Sequence, residues 1–337
     1  MKILLSSHFF HPSVGGTEEV SQILAREFTR AGQEVRVVTQ TREEDAADFP
    51  FPIHRRPGPR ELLRLVEWCD VFFHNNISLR TAWPLLLRRR PWVIAHHTWI
   101  ARADGTVGWR DRLKQFVLRR ARNIAVSEAM RAQISAPAVV IGNPYRDDLF
   151  RCDPAAVRDR DLVCLGRLVR DKGVDLLFQS LARLRARGSR PRLTVIGQGP
   201  EEPALRHLSA QLGLDEQIAF AGQKAGPELV ALLNRHRILV VPSRCQESFG
   251  LAALEGMACG CLPLVAHCGG LPEAIGEAGV AFRHQDVDDA ASWIEKLLDP
   301  RCDLSSYRQA ATAHLANHRA QSIAGRYLRV LEEAAHR

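Results

Sequence analysis

The chain has 337 residues, room for about two domains that each bury a core, which excludes a single small stapled module. A hydrophobic content of 46% with 25% charged residues excludes an intrinsically disordered chain. Lys plus Arg number 46 against 38 Asp plus Glu, and the resulting +8 raises nucleic acid, anionic membrane and phosphorylated ligands together without choosing among them.

In chain order, the opening run MKILLSSHFFHPS is broken by His8, His11 and Pro12 before a secretory core could form, so the chain is expected in the cytoplasm. No window of about 18 uninterrupted apolar residues follows, which leaves only peripheral attachment to the inner face of a membrane. Strands are predicted at Ile3–Ser6, Glu34–Thr39, Val71–His74, Trp92–Ala95, Asn123–Val126 and Val139–Ile141. Helices are predicted at Thr17–Ala31, Leu79–Arg89, Trp109–Arg119 and Glu128–Ile134. Pro50, Pro52, Pro57 and Pro59 make Arg42–Arg60 loop or edge strand. The charged, proline-containing segment Tyr145–Arg160 interrupts the alternation and marks a domain boundary. Beyond it, strands are predicted at Asp161–Leu165, Arg192–Ile196, Ile218–Ala221, Ile238–Val241, Leu262–Val265 and Val280–Phe282. The intervening helices are Val174–Arg187, Glu201–Leu212, Pro227–Asn234, Leu251–Ala258 and Asp286–Leu298, and Leu304–Ala316 and Ser322–Ala335 end the chain. Alternating short apolar strands and amphipathic helices mean two doubly wound α/β domains, with a ligand cleft expected between them at the carboxyl ends of the strands. The eight cysteines form no CxxC pair, and Cys245, Cys259, Cys261, His267 and Cys268 fit no common zinc spacing, so they are read as buried reduced thiols.

Three clusters carry chemistry. Gly15 and Gly16 open the first helix, where backbone N–H groups can approach a phosphate or sugar oxygen; a plain turn, with Glu18 and Glu19 as favourable first-turn acids, is the commoner origin of such a glycine pair. Arg167 and Lys172, in GRLVRDKG after the first strand of the second domain, supply two cations for a diphosphate, against the alternative of a solvated basic loop. In PSRCQESFGLAALE, Glu247 lies at a helix mouth and Glu255 about two turns into the helix, and paired carboxylates suit vicinal diols; the basic surroundings argue against a glycosidase pair.

PSVGGTE, GRLVRDKG, VIGQGP, PSRCQESFGLAALEGMACG and HCGGLPE occur in this order over nearly the whole chain, and together they resemble the motifs of the retaining family-four glycosyltransferases of the GT-B fold. The resemblance implies two Rossmann-like domains facing across a cleft, an acceptor domain at 1–148 and a nucleotide-sugar domain at 149–317. C-terminal helices would close back on the first domain, completing it with about 318–337. It implies that Arg167 and Lys172 hold the diphosphate, Glu247 the transferred sugar and Glu255 the ribose diol. Backbone groups of Ser248, Phe249, Gly250 and Leu251 would face phosphate and sugar, Gly15 and Gly16 would approach the donor phosphate, and Gly197 and Lys224 would line the base. The strand PWVIAHHT matches the family's strand with a catalytically placed histidine at His97, while His96 is read as a satisfied buried imidazole. No metal or other cofactor is expected, since the cation pair stands where a metal would. The implied partners are a UDP- or GDP-sugar and a hydroxyl acceptor such as a lipid-linked glycan, with no nucleic acid.

In the acceptor half, Trp99 follows His97 and offers a face to a sugar ring, whereas Trp83, Trp92 and Trp109 read mostly as core. Arg88, Arg89, Arg90, Arg110, Arg112, Lys114, Arg119, Arg120 and Arg122 form either a solvated surface or a face for anionic lipid. A sugar-nucleotide epimerase of the same architecture and a non-catalytic nucleotide-sugar binder are the rival readings. A nicotinamide dehydrogenase is disfavoured because the first turn lacks GxGxxG.

Overall fold

The computed structural model describes residues 1–13, 15–42, 48–99, 108, 115–245 and 247–336. The chain forms two compact units, Met1–Tyr145 with His318–Arg337, and Arg146–Asn317. The structural break at Tyr145/Arg146 lies three residues before the 148/149 division expected from sequence.

The first unit is built on a parallel sheet of β1 (Lys2–Ser7), β2 (Glu34–Thr39), β3 (Ile53–Arg55), β4 (Val71–Asn75), β5 (Trp92–His96), β6 (Arg122–Ala125) and β7 (Ala138–Val140), in the order β3-β2-β1-β4-β5-β6-β7. The order reverses between β1 and β4, where Ser7 pairs with Asn75. Central strands are apolar on both faces, as in β4 and β5, because helices cover both sides of a parallel sheet. The proline-rich stretch does supply an edge strand, β3, and Pro59 then begins a helix, Pro59–Trp68, that the sequence reading did not contain. Proline at the first helical position costs nothing, since its missing N–H would have no partner there. Leu62, Leu65 and Val66 bury one face of that helix against Leu4, Val38 and Phe72. The expected helix Leu79–Arg89 is corrected: it lasts one turn, Leu79–Ala82, and tightens into a 3-10 turn, Trp83–Leu86, around Pro84. Of the expected helix Trp109–Arg119, residues 115–118 are helical, while Trp109, Arg110, Arg112 and Lys114 lie outside the described residues, as do 100–107.

The second unit repeats the design with β8 (Arg160–Leu165), β9 (Leu193–Ile196), β10 (Ile218–Gly222), β11 (His236–Val241), β12 (Leu262–Ala266) and β13 (Val280–Phe282), all parallel, in the order β10-β9-β8-β11-β12-β13. Here the order reverses between β8 and β11. The terminal helix Ala320–Ala335 returns to the first unit, burying Ile323, Tyr327 and Leu331 and placing Tyr327 edge-on to Phe73 at 5.8 Å. No described helix is long and apolar enough to cross a membrane.

Candidate active site

In an open parallel sheet a ligand binds beyond the carboxyl ends of the strands where the order reverses. In the second unit that place is framed by the loops after β8 and β11. They touch because Gly173 adopts φ 65°, and a Cβ on it would stand 2.1 Å from the Pro242 carbonyl oxygen. Arg244 N–H donates to the Asp171 carbonyl at 2.8 Å, tying the loops again. Across the junction Lys172 Nζ donates to Glu247 Oε1 at 2.5 Å, and the buried Ser243 hydroxyl donates to the same oxygen at 2.7 Å. The Glu247 backbone carbonyl accepts from Gly270 N–H at 2.8 Å, so the loop after β12 supports it from behind. The Lys172 and Glu247 side chains keep 30% and 16% of their surface, enough to meet a ligand. Arg167 is exposed on the same loop as Lys172.

Gly250 precedes the helix Leu251–Ala258, whose first-turn N–H groups face away from the helix body toward the same edge. Glu255 is the fifth residue of that helix, so it lies about one turn in, a correction to the two turns read from sequence. Ser248 and Leu251 are half-buried around this helix start, while Phe249 is buried. Gly197, at the end of β9, approaches so closely that a Cβ would stand 1.8 Å from the Gly166 carbonyl oxygen. Lys224, after edge strand β10, lies farther along the carboxyl edge and is ion-paired with Glu228 at 2.5 Å. Thus the structure groups Arg167, Lys172, Gly197, Glu247 and Gly250 around adjoining loops, with Lys224 at the far end.

In the first unit Gly15 precedes, and Gly16 begins, the helix Gly16–Arg30, as expected, with the Glu18 carboxylate folded back against Gly15. His96 is satisfied by Asn123, Nε2 to Oδ1 at 3.0 Å. His97 differs. It is 4% exposed, directly after β5, and neither ring nitrogen has a hydrogen-bond partner among the described residues. Burial, aided by the neighbouring His96, lowers its pKa to about 3, so the ring is neutral. The Asn143 amide opposes that shift, but its Oδ1 is not in hydrogen-bond geometry with the ring. Buried polar groups are normally paired, so an unpaired neutral imidazole at a strand's carboxyl end makes His97 a candidate site residue. Asn76 fixes the backbone there: its Oδ1 accepts from His97 N–H at 2.7 Å and Thr98 N–H at 3.1 Å. Trp99 is partly buried and packs against the cluster that includes Trp92, Ile94 and Leu118. Trp92 is core, its indole donating to His74 Nδ1 at 2.8 Å. Sequence reasoning missed Ser243 and Asn76; the signals were the Ser inside PSRCQE and the HNN that ends β4.

The cysteines are free, and burial raises the pKa of Cys69, Cys164, Cys259 and Cys261 to about 12, which leaves them as inert thiols.

Residues 146–314 match the family described as Glycosyl transferases group 1, and residues 14–146 match Glycosyltransferase Family 4. The chain belongs to the family-four glycosyltransferases. This glycosyltransferase is 25% identical to the GDP-mannose:cellobiosyl-diphosphopolyprenol alpha-mannosyltransferase of Xanthomonas campestris, over 97% of this chain and 96% of that one. It is 29% identical to the D-inositol 3-phosphate glycosyltransferase of Stackebrandtia nassauensis, over 76% of this chain and 67% of that one. Among solved structures, sucrose-phosphate synthase from Thermosynechococcus elongatus superposes with a TM-score of 0.82 at 20% identity, over 98% of both chains. Anabaena Alr3699/HepE in complex with UDP and glucose gives 0.79 at 19% identity, over 99% of this chain and 100% of that one. These likenesses show the GT-B fold for the glycosyltransferase, and the family models and curated relatives give its reaction class as glycosyl transfer.

Proposed function

We propose that this glycosyltransferase moves a sugar, with retention of anomeric configuration, from a nucleotide-diphosphate sugar held by the second unit to a hydroxyl of a lipid-linked glycan precursor. The observation that carries the reading is the Lys172–Glu247–Ser243 junction at the β8/β11 reversal. Ser243 holds the same Glu247 oxygen that Lys172 does, so a diphosphate can take Lys172 while Ser243 keeps Glu247 in place. Arg167 and Lys172 then bear the charge of the departing diphosphate without a metal ion, Glu247 accepts from hydroxyls of the transferred sugar, and Glu255 accepts from the ribose diol. The start of helix Leu251–Ala258 adds backbone donors from Ser248 to Leu251. Gly197 and Lys224 would line the base. In the first unit, the Gly15–Gly16 turn and His97 are assigned roles in the same reaction. The acceptor oxygen forms its bond to the anomeric carbon as the bond from that carbon to the phosphate oxygen breaks, and the departing phosphate takes the hydroxyl proton. GDP-mannose is favoured by the name of the Xanthomonas relative and UDP-glucose by the ligands of the Anabaena structures, and a diphosphate-linked lipid acceptor by the relative's name.

A panel of UDP-, GDP- and ADP-sugars, without acceptor, tests the reading. One donor should raise stability by about 2.7 kcal/mol at 100 times its dissociation constant and release free diphosphate slowly. Lys172→Ala and Glu247→Ala should each slow that release about 100- to 1000-fold. A panel in which no donor binds or breaks down overturns the reading, and an inverted product anomer overturns the proposed stereochemistry.

A further inference from the structure

Three buried polar atoms at the carboxyl edge of the first sheet have no hydrogen-bond partner among the described residues: both ring nitrogens of His97 and Oδ1 of Asn143, on residues 4% and 5% exposed. The strand register brings them to one place. His96, Ala125 and Val140 stand in a row across β5, β6 and β7, so His97 and Asn143 follow that row one and three residues on, with only β6 between them. The Asn143 amide bears on the ring directly, favouring its charged form against the burial that keeps it neutral. Unpaired buried groups of this kind are rare, and these two are complementary, since a neutral imidazole carries one N–H and an amide oxygen only accepts. Asn143 is also fixed from behind. Its backbone carbonyl accepts from His318 Nδ1 at 2.8 Å, and Tyr145 N–H donates to the His318 carbonyl at 3.2 Å, so the segment that leaves the first unit and the one that returns to it clamp each other here. Pro144 confines the Asn143 backbone to the extended region.

We propose that Asn143 is a positioning residue for His97: a turn of its side chain brings Oδ1 onto the ring N–H and fixes one tautomer, while Asn76 fixes the backbone of the same histidine. The other ring nitrogen is then an acceptor, and the group it can take is a hydroxyl rather than a phosphate oxygen. His96 is the titratable neighbour that acts on the ring, and burial lowers its pKa too, with Asn123 as its hydrogen-bond partner. The pairing is a property of the first unit by itself, and only its effect on rate rests on the glycosyl-transfer reading.

Long-range proton–nitrogen NMR of the full chain with isotope-labelled histidine reads the tautomer, the His97 signal being identified by its loss in His97→Gln. The parent ring should hold one tautomer at neutral pH, and Asn143→Ala should mix the two. Asn143→Asp should keep the parent's tautomer while its carboxylate raises the pH at which the ring takes up a further proton. A parent ring that already mixes tautomers, an alanine variant with the parent's tautomer, or an aspartate variant whose ring stays neutral wherever the parent's does would each overturn the pairing. Donor breakdown supplies a second readout. Asn143→Ala should lower kcat about two- to tenfold with little change in donor KM, and Asn143→Asp should move the acid limb of the kcat profile upward in pH. Adding Asn143→Ala to His97→Gln should cost almost nothing further, whereas losses that simply multiply would overturn the proposal by showing that Asn143 supports the fold and not the ring. If Asn143→Ala unfolds, the aspartate variant, of the same shape, decides by its ring titration. If the parent breaks down no donor, the transfer reading fails and the NMR result alone decides the pairing.

Discussion

Asn76 adopts φ 69°, a left-handed conformation that few residues other than glycine tolerate, and it does so beside His97, whose ring has no hydrogen-bond partner among the described residues. The conformation aims its Oδ1 at two backbone N–H groups beyond the end of β5. Asn76→Gly keeps the backbone and removes the acceptor, and with about 1 kcal/mol at stake per hydrogen bond it should lower kcat roughly tenfold with little change in donor KM. Asn76→Asp retains the acceptor and should recover most of that rate; steady-state kinetics on the three proteins decide it, and equal kcat in all of them would mean that Asn76 does not position His97. Gly173→Ala is expected to be harsher, because a Cβ would strike the Pro242 carbonyl at 2.1 Å in a left-handed conformation. It should destabilise the second unit by about 1–3 kcal/mol and separate Lys172 from Glu247, read by denaturant unfolding together with donor breakdown. Lys172 and Glu247 were legible in sequence because a charged group after an apolar strand stands out from its neighbours. Ser243 and Asn76 were not, since a short polar side chain gains its role from the strand register that sets it beside another segment's backbone.

At the scale of elements, the strands were legible wherever a short Val, Ile and Leu run had to be buried on both faces, as in β11 and β12. The helices were misread where proline decides. Four prolines in Arg42–Arg60 read as a loop, yet Pro59 starts a helix, and Pro84 ends one that charge and leucine content had extended to Arg89. Which element each terminal segment serves was not legible from periodicity, because a helix shows an apolar face without showing what covers it. The helix Ala320–Ala335 offers a test of that docking. Tyr327 is fully buried against Phe73, and its hydroxyl has no hydrogen-bond partner among the described residues. Tyr327→Ala leaves a cavity in the first unit and should cost about 3–5 kcal/mol. Tyr327→Phe removes only an unsatisfied buried hydroxyl and should be neutral or stabilising. Urea unfolding of both variants separates packing from polarity, and a Phe variant as weak as the Ala variant would show that the hydroxyl has a partner.

At the scale of the whole molecule, the two units carry unequal loads of buried neutral histidine, and this predicts how acid takes the protein apart. In the first unit burial lowers His74 and His97 to about 3, and in the second it lowers His236 to about 4, against an ordinary value of 6.5. These bases stay neutral in the native state while the unfolded chain binds protons below pH 6.5, so stability is full above that pH and falls as pH drops toward 4. At pH 5.5 each of these three costs about 1.4 kcal/mol relative to neutral pH, and burial also lowers His8 and His96 in the first unit and His314 in the second, so the larger loss falls on the first unit, by an amount on the order of 1–2 kcal/mol. Against a total of about 5–15 kcal/mol for a domain, that difference is large enough to reorder unfolding. Acidification from pH 7.5 to 5.5 should therefore lower the melting temperature of the first unit more than that of the second. Trp293 is the one tryptophan in the second unit, so tryptophan fluorescence of Trp293→Phe follows the first unit alone while calorimetry follows both. Parallel shifts of the two transitions would show that the buried imidazoles of the first unit are not held neutral, and His74→Asn should reduce the first unit's loss at pH 5.5 by about 1.4 kcal/mol if they are.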